Sequence, residues 1–367
     1  MIVGISRLCY TLPMLVCYTG GGTLGHILPA LSVHEVLKEE NGYRCFWIGR
    51  EDEGERAAVE REGIAFHAIQ SGKFRRYASV QNLSDGFRLF AAFFQALSIL
   101  KKERPDILFS KGGFVSVPPV LAARVLHIPI VTHESDASPG LATKLIAPFA
   151  SAICLGYESA GATLPQKKIV YSGNPIRTAL LQASTFSIRE RLSLSSDLPL
   201  VFVMGGSQGA MQINALVREN LDALCEKAFV YHQCGKRDFM ELKHKNYLAV
   251  DMVGDDMACL YRESTLVVSR GGAGALSELA YFGCPSIIVP LSLGSRGDQI
   301  ANASLLKANT AAVVLESAVD AKNFLEAVTY LLENSEKRSI LSQHIKEMAI
   351  ADSQQIIASV IRSKAII

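Results

Sequence analysis

Apolar residues in this chain fall in short unbroken runs that alternate with longer stretches of helical periodicity, from one end to the other. Continuous runs of Val, Ile, Leu and Phe mark strands covered on both faces, where strict alternation would mark a half-exposed strand. They predict strands over 15–19, 43–49, 66–70, 107–111, 129–133, 152–156 and 168–172, then over 200–205, 228–233, 248–252, 265–269, 285–290 and 311–315. Strand–helix–strand repetition predicts an α/β fold with doubly wound parallel sheets. The series restarts, because a glycine-rich turn follows the first strand of each half: GGGTLGH at 20–26 and GGSQGA at 205–210. Two Rossmann-like domains in tandem are expected, 1–177 and 178–349. The boundary follows SGNPIR (172–177), with the Ser-rich stretch 178–198 as linker and opening helix. The helical pattern over 350–367 is expected to return to the first domain.

The length of 367 residues agrees with two domains of about 150 residues each. An apolar share of 49% with 20% charged residues describes a folded chain. The net charge of +2 lacks the basic excess of a general nucleic-acid binder, so any basic surface is local. The eight cysteines form no CxxC pair, and several sit in apolar runs, as Cys154 does in AICLG. They read as small buried hydrophobes of a reducing compartment, not as zinc or redox motifs. No run of about 18 uncharged apolar residues is present. Residues 1–13 read as a leader ahead of Met14. A cleaved signal peptide is disfavoured, since cleavage would remove the strand that the first glycine turn needs.

A glycine turn opening a helix presents free N–H groups and the positive end of the helix dipole, a natural diphosphate site. GGGTLGH is not GxGxxG and has no clear acidic ribose partner downstream, which disfavours a nicotinamide cofactor. His26 closes this turn, either as a general base or phosphate ligand or as a helix-start residue bonded to local backbone. Ser207 in the second turn adds a hydroxyl donor. A third cluster, SRGGAGALSELAYFGCPSIIVP (269–290), carries Arg270 and opens the helix bearing Glu278, which is placed either to accept from ribose hydroxyls or to balance the dipole. Gln299 and Asn302 in SRGDQIANA offer amides to sugar hydroxyls. Arg177 suits a diphosphate, with an interdomain salt bridge as the alternative. The stretch 71–104 differs: Lys73, Phe74, Arg75 and Arg76 precede a helix, expected to be capped by Ser84 or Asp85, with Phe87, Phe90 and Phe94 on one stripe. This composition suits an anionic lipid surface, and a buried core helix with a basic entry loop is the rival.

The segments TGGGTLGH, KGGFVSVPPVLAA, THESDASPGLA, SGNPIR, MGGSQGAMQIN, HQCGK, SRGGAGALSELAYFGCPSIIVP and SRGDQIANA resemble the MurG family in content and order, from about residue 15 to the C-terminal helices. The resemblance implies a GT-B fold, two Rossmann-like domains around a cleft. It implies inverting transfer of GlcNAc from UDP-GlcNAc to the MurNAc C4 hydroxyl of lipid I, giving lipid II and UDP. The enzyme would need no cofactor or metal. It would be peripheral on the cytoplasmic face of the bacterial inner membrane, with other cell-wall or division proteins as further partners and no nucleic acid. Carried over by position, Ser207 contacts the nucleotide and Arg177 the diphosphate. Ala273, Gly274, Ala275, Leu276, Ser277 and Glu278 line the uridine-ribose pocket. Gln299 binds the sugar, and Gly254 and Asp136 complete the donor site. Thr23, Leu24 and Gly25 close on UDP-GlcNAc from the acceptor side, which His26 also faces. The chain departs from the family's pattern at Leu24, often glycine, at Asp136, often asparagine, and in GGAGA, which lacks a common threonine.

Overall fold

Parallel strands buried on both faces dominate the computed structural model, which describes residues 13–22, 24–70, 81–182, 186–195, 197–205, 210–291, 297–316 and 318–365. The side chains of Leu24 and residues 81–87 also lie outside the description. So do the predicted leader up to residue 12, Thr23, the basic segment Lys73–Arg76 and Ser207. The first sheet is built from β1 (Leu15–Thr19), β2 (Arg44–Arg50), β3 (Ala65–Ile69), β4 (Ile107–Ser110), β5 (Ile130–Glu134), β6 (Ala152–Leu155) and β7 (Ile169–Tyr171). The second contains β8 (Leu200–Met204), β9 (Phe229–Gln233), β10 (Tyr247–Val250), β11 (Leu266–Ser269), β12 (Ser286–Ile288) and β13 (Val313–Val314).

The sheet orders are β3-β2-β1-β4-β5-β6-β7 and β10-β9-β8-β11-β12-β13, one pattern used twice. All neighbouring strands run parallel, so every strand delivers its carboxyl end to the same edge of its sheet. In each sheet the order reverses beside the first strand, between β1 and β4 and between β8 and β11. Such switch points open the crevice where α/β sheets bind ligands.

Each sheet separates two apolar layers. Cys17, Leu108 and Ile153 face a layer with Ala92, Ala96 and Leu100 of the helix Gln81–Glu103. Val16, Tyr18 and Val131 face the opposite way, onto Ile27 and Val33 of the helix Leu24–Leu37. The helix Gln81–Glu103 begins before Ser84 and Asp85, so neither caps it. Propensity alone locates a helix start only to within about a turn.

The last helix, Ser353–Ala365, packs on the first sheet. Ile357, Ala358 and Ile361 are fully buried among Val16, Tyr18, Ile27 and Val131, and Arg362 pairs with Glu40. The chain thus crosses between halves twice, at 172–177 and again near 350. The crossings touch at Gly173, where φ is +71° and an added Cβ would fall 2.6 Å from both Ile350 Cβ and Ser353 Oγ. Only glycine fits that approach.

Ile357→Ala should lower unfolding stability by about 2–5 kcal/mol, since it leaves a cavity under the returning helix. Ile300→Ala, on a side chain 42% exposed, should stay within about 0.5 kcal/mol. Urea unfolding midpoints of the two variants check this.

Candidate active site

The described glycine turns Gly20–Gly22, Gly112–Gly113 and Gly271–Gly272 lie on the facing carboxyl edges of the two sheets. On the C-terminal side β11 leads through Arg270 and Gly271 into the helix Ala273–Phe282. Its N-cap is Gly272, no side chain among the described residues caps it, and its first turn holds no acidic residue. Four N–H groups at such a start have no intrahelical partner, and the dipole adds partial positive charge. Gly271 is required by close packing, because a Cβ there would sit 2.5 Å from the Gln299 carbonyl oxygen. Gln299 turns its Oε1 inward to accept from the Leu291 amide at 3.0 Å.

Glu278 lies one turn further along the same helix, buried. Arg177 grips it in a fork, Nε to Oε1 at 2.6 Å and Nη2 to Oε2 at 2.8 Å, and the Tyr261 hydroxyl donates to Oε2 at 2.9 Å. The two residues that the sequence placed on the diphosphate and the ribose therefore hold each other. The pair ties the segment that leaves the first sheet to the helix that opens the cleft.

On the N-terminal side the turn Gly20–Gly22 and the turn Gly112–Gly113 touch. Gly113 has φ +79°, and a Cβ on it would come 2.7 Å from the Gly21 carbonyl and 3.5 Å from the His26 ring. His26 is half-buried at the start of the helix Leu24–Leu37. The Gly22 amide donates to Glu55, whose carboxyl is raised above its ordinary pKa by burial. At the end of β5, Glu134 Oε1 accepts from the Asp136 amide at 3.1 Å, and Oε2 from the Gly140 amide at 3.0 Å and the Thr143 hydroxyl at 2.5 Å. His133 donates through Nε2 to the Gly173 carbonyl at 2.9 Å, and burial, reinforced by the charge of Lys111, holds its pKa well below the usual range. It is neutral at physiological pH.

One side chain closes the crevice. Asn302, fully buried on the helix Asp298–Ala308, accepts from the Ala137 amide at 2.7 Å. Its Nδ2 donates to Asp136 Oδ1 and to the Gly271 carbonyl, both at 2.9 Å. Burial pushes the Asp136 carboxyl up to about 6, with Glu134 and Asp298 adding repulsion and Asn302 and Lys111 opposing it.

A glycosyltransferase family 28 N-terminal domain model matches residues 16–155, and the family 28 C-terminal domain model matches residues 200–359. The UDP-N-acetylglucosamine--N-acetylmuramyl-(pentapeptide) pyrophosphoryl-undecaprenol N-acetylglucosamine transferase of Clostridium botulinum (strain Loch Maree / Type A3) is 40% identical over 86% of this chain and 90% of its own length. The protein of the same name from Lachnospira eligens is 41% identical over 85% and 89%. The chain belongs to the MurG branch of glycosyltransferase family 28. Among solved structures, Acinetobacter baumannii MurG superposes with a TM-score of 0.75 at 23% identity, covering 96% of this chain and all of that one. Neisseria meningitidis UDP-GlcNAc 2-epimerase reaches 0.68 at 14% identity, covering 95% of this chain and all of that one. Both likenesses concern the GT-B architecture.

In this family 28 transferase the sequence-derived site residues fall in three groups. Gly25, His26, Asp136, Arg177, Ala273, Gly274, Ala275, Leu276, Ser277, Glu278 and Gln299 lie on elements that meet at the crevice. Gly254 is exposed on the turn after β10, where its carbonyl accepts from the Met257 amide. Thr23, the Leu24 side chain and Ser207 lie outside the described residues. Sequence reasoning missed Glu55, Lys111 and the bridging geometry of Asn302. Among the described residues, no group of three or more His, Cys, Asp or Glu is placed to hold a metal ion.

Gly271→Ala should cost roughly 1–3 kcal/mol of stability, because the new methyl meets backbone instead of a mobile side chain. Gly272→Ala, with open space around its Cβ position, should be near neutral. Thermal unfolding of the two variants side by side tests the contrast.

Proposed function

We propose that this glycosyltransferase moves GlcNAc from UDP-GlcNAc to the MurNAc C4 hydroxyl of lipid I, with inversion, giving lipid II and UDP. The observation that carries the reading is the start of the helix Ala273–Phe282, uncapped among the described residues and packed at Ala273 against Ala137 and Tyr157 of the first domain. Amides fixed there meet the charge that grows on the leaving diphosphate and need no reorganisation during the reaction. The names of the relatives supply the donor and the acceptor.

In the in-line step the acceptor oxygen attacks the anomeric carbon as the bond from that carbon to the diphosphate oxygen breaks. UDP departs with the electron pair, and the acceptor's proton passes to a base. His26 is our candidate for that base, since its ring sits against the junction of the two N-terminal glycine turns. Ser207 and the residues 273–278 would hold the nucleotide, and Gln299 the sugar.

The acceptor's lipid calls for a membrane-facing surface, and no helix among the described residues is long and apolar enough to cross a bilayer. On the helix Gln81–Glu103, Ala92, Ala96 and Leu100 take the core, while Phe90 and Phe94 remain 64% and 49% exposed with ring centroids 4.7 Å apart. The neighbouring helices Val117–Val125 and Leu141–Ile146 add exposed Val125, Leu141 and Leu145, and Phe149 follows. Lys101, Lys102, Arg124 and Lys144 lie on the same three helices. Apolar side chains beside cations suit peripheral attachment to an anionic leaflet, placed by this reading on the cytoplasmic face of the inner membrane.

UDP release from UDP-GlcNAc should require a lipid I analogue. His26→Ala should lower kcat by about 10²–10⁴-fold with the donor KM little changed; near-normal turnover would remove His26 from the role. Phe90→Ser with Phe94→Ser should weaken partitioning onto anionic vesicles by roughly tenfold or more, each lost phenyl removing apolar area from the bilayer contact. Vesicle co-sedimentation reads this out.

A further inference from the structure

Tyr261 carries a hydroxyl into a layer made mostly of apolar side chains. It stands on the helix Met257–Glu263, 1% exposed, in one cluster with Phe202, Met204, Leu276 and Leu279. Its ring centroid lies 5.3 Å from that of Phe282 and 5.9 Å from that of Phe202. A phenylalanine would fill the same slot and bring no polar atom to be satisfied. Packing alone therefore does not account for the hydroxyl.

Two acceptors lie within its reach, Glu278 Oε2 at 2.9 Å and Met204 Sδ at 3.3 Å. The hydroxyl has one proton, and a carboxylate oxygen accepts far more strongly than a thioether, so the proton goes to Glu278. Arg177 adds a donor to each oxygen of the same carboxylate. The two partners differ in origin. Arg177 belongs to the connection 172–177 between the halves, and its side chain is 34% exposed. Tyr261 belongs to the same half as Glu278, 17 residues before it, and is sealed in the core. An arginine at the rim can be drawn to an arriving diphosphate, whereas a phenol packed between two rings stays in place.

We propose that Tyr261 is a positioning residue for the donor nucleotide: its hydroxyl fixes the plane of the Glu278 carboxylate, which accepts from the ribose hydroxyls. The proposal rests on reading Glu278 as the ribose ligand. The terminal torsion of a glutamate is broad, so a single donor on one oxygen decides how the plane sits. Tyr261 takes one of the roughly four acceptor positions of a carboxylate, and so orients the group without closing it. Without that bond the plane is loose whenever Arg177 turns to the diphosphate, and the ribose must order it on binding.

The test compares two ligands that differ at the ribose. UDP and 2′,3′-dideoxy-UDP are titrated calorimetrically into wild type, Tyr261→Phe, Glu278→Gln and the Y261F/E278Q double variant, with a thermal midpoint for each. Wild type should bind the dideoxy ligand about tenfold or more weakly than UDP, since a buried carboxylate loses its hydroxyl donors. Y261F should bind UDP roughly three- to tenfold more weakly than wild type does, and the dideoxy ligand within about twofold of wild type. The double variant should bind UDP as E278Q does, because Tyr261 acts through that carboxylate. A tyrosine that merely supported the fold would weaken both ligands alike.

Equal losses on the two ligands, no loss on UDP, or a double variant that carries the product of both single losses overturns the proposal and leaves the ribose reading standing. A wild type that binds both ligands equally overturns the ribose reading, and the proposal with it. A wild type that unfolds in one sharp thermal transition yet binds no UDP removes the donor site itself, and both fall.

Discussion

A parallel sheet sends every strand's carboxyl end to one edge, and two such edges are joined here through the amide of Asn302. Its bonds to Ala137, Asp136 and Gly271 tie the loop beyond β5 to the turn beyond β11, over 165 residues of sequence from Ala137. Everything that faces the crevice depends on this crossing and on the fork of Arg177 on Glu278, because the connections at 172–177 and near 350 only bring the halves together. A buried amide with each of its polar groups matched is worth more as a fixed geometry than as a stability increment, since any partner lost leaves a buried group unsatisfied.

The crevice carries carboxylates, which would oppose an incoming diphosphate. Three are answered by the fold: Glu134 by two backbone amides and a hydroxyl, Glu278 by Arg177 and Tyr261, and Asp136 by Asn302. A carboxylate whose oxygens accept from several donors, as Glu134 and Glu278 do, adds less field of its own toward the cleft. Among the described residues the helix start at Ala273 has no such partner from a capping side chain, so its amides are a directed positive feature.

The strands were legible because burial on both faces writes itself as unbroken apolar runs, and each predicted strand overlaps an observed one. The restart of the series was legible from the glycine turns. What the residues do to each other was not. Arg177 and Glu278 are 101 residues apart and Asp136 and Asn302 are 166 apart, and no local pattern encodes either contact. Glu55 sits in a charged surface-like stretch, and only the backbone of Gly22, 33 residues earlier, makes it a site residue. One signal was present and unread, the repetition of Ser-cation-Gly-Gly after the fourth strand of each half, at 110–113 and 269–272.

That repetition gives the architecture its last turn of logic. Two halves built on one strand order place a cation at the same point, but the C-terminal half leaves its first helix turn without a cap from a described side chain, while the N-terminal half sets its cation in the field of Glu134 and Asp136. The same scaffold position thus faces a free helix start on one wall of the cleft and carboxylates on the other. On the proposed reading this asymmetry is what the reaction requires: charge develops on the departing nucleotide at the C-terminal wall, whereas the N-terminal wall must receive a neutral hydroxyl and take its proton. A symmetric pair of positive walls would grip both diphosphates equally and would stabilise a proton acceptor poorly.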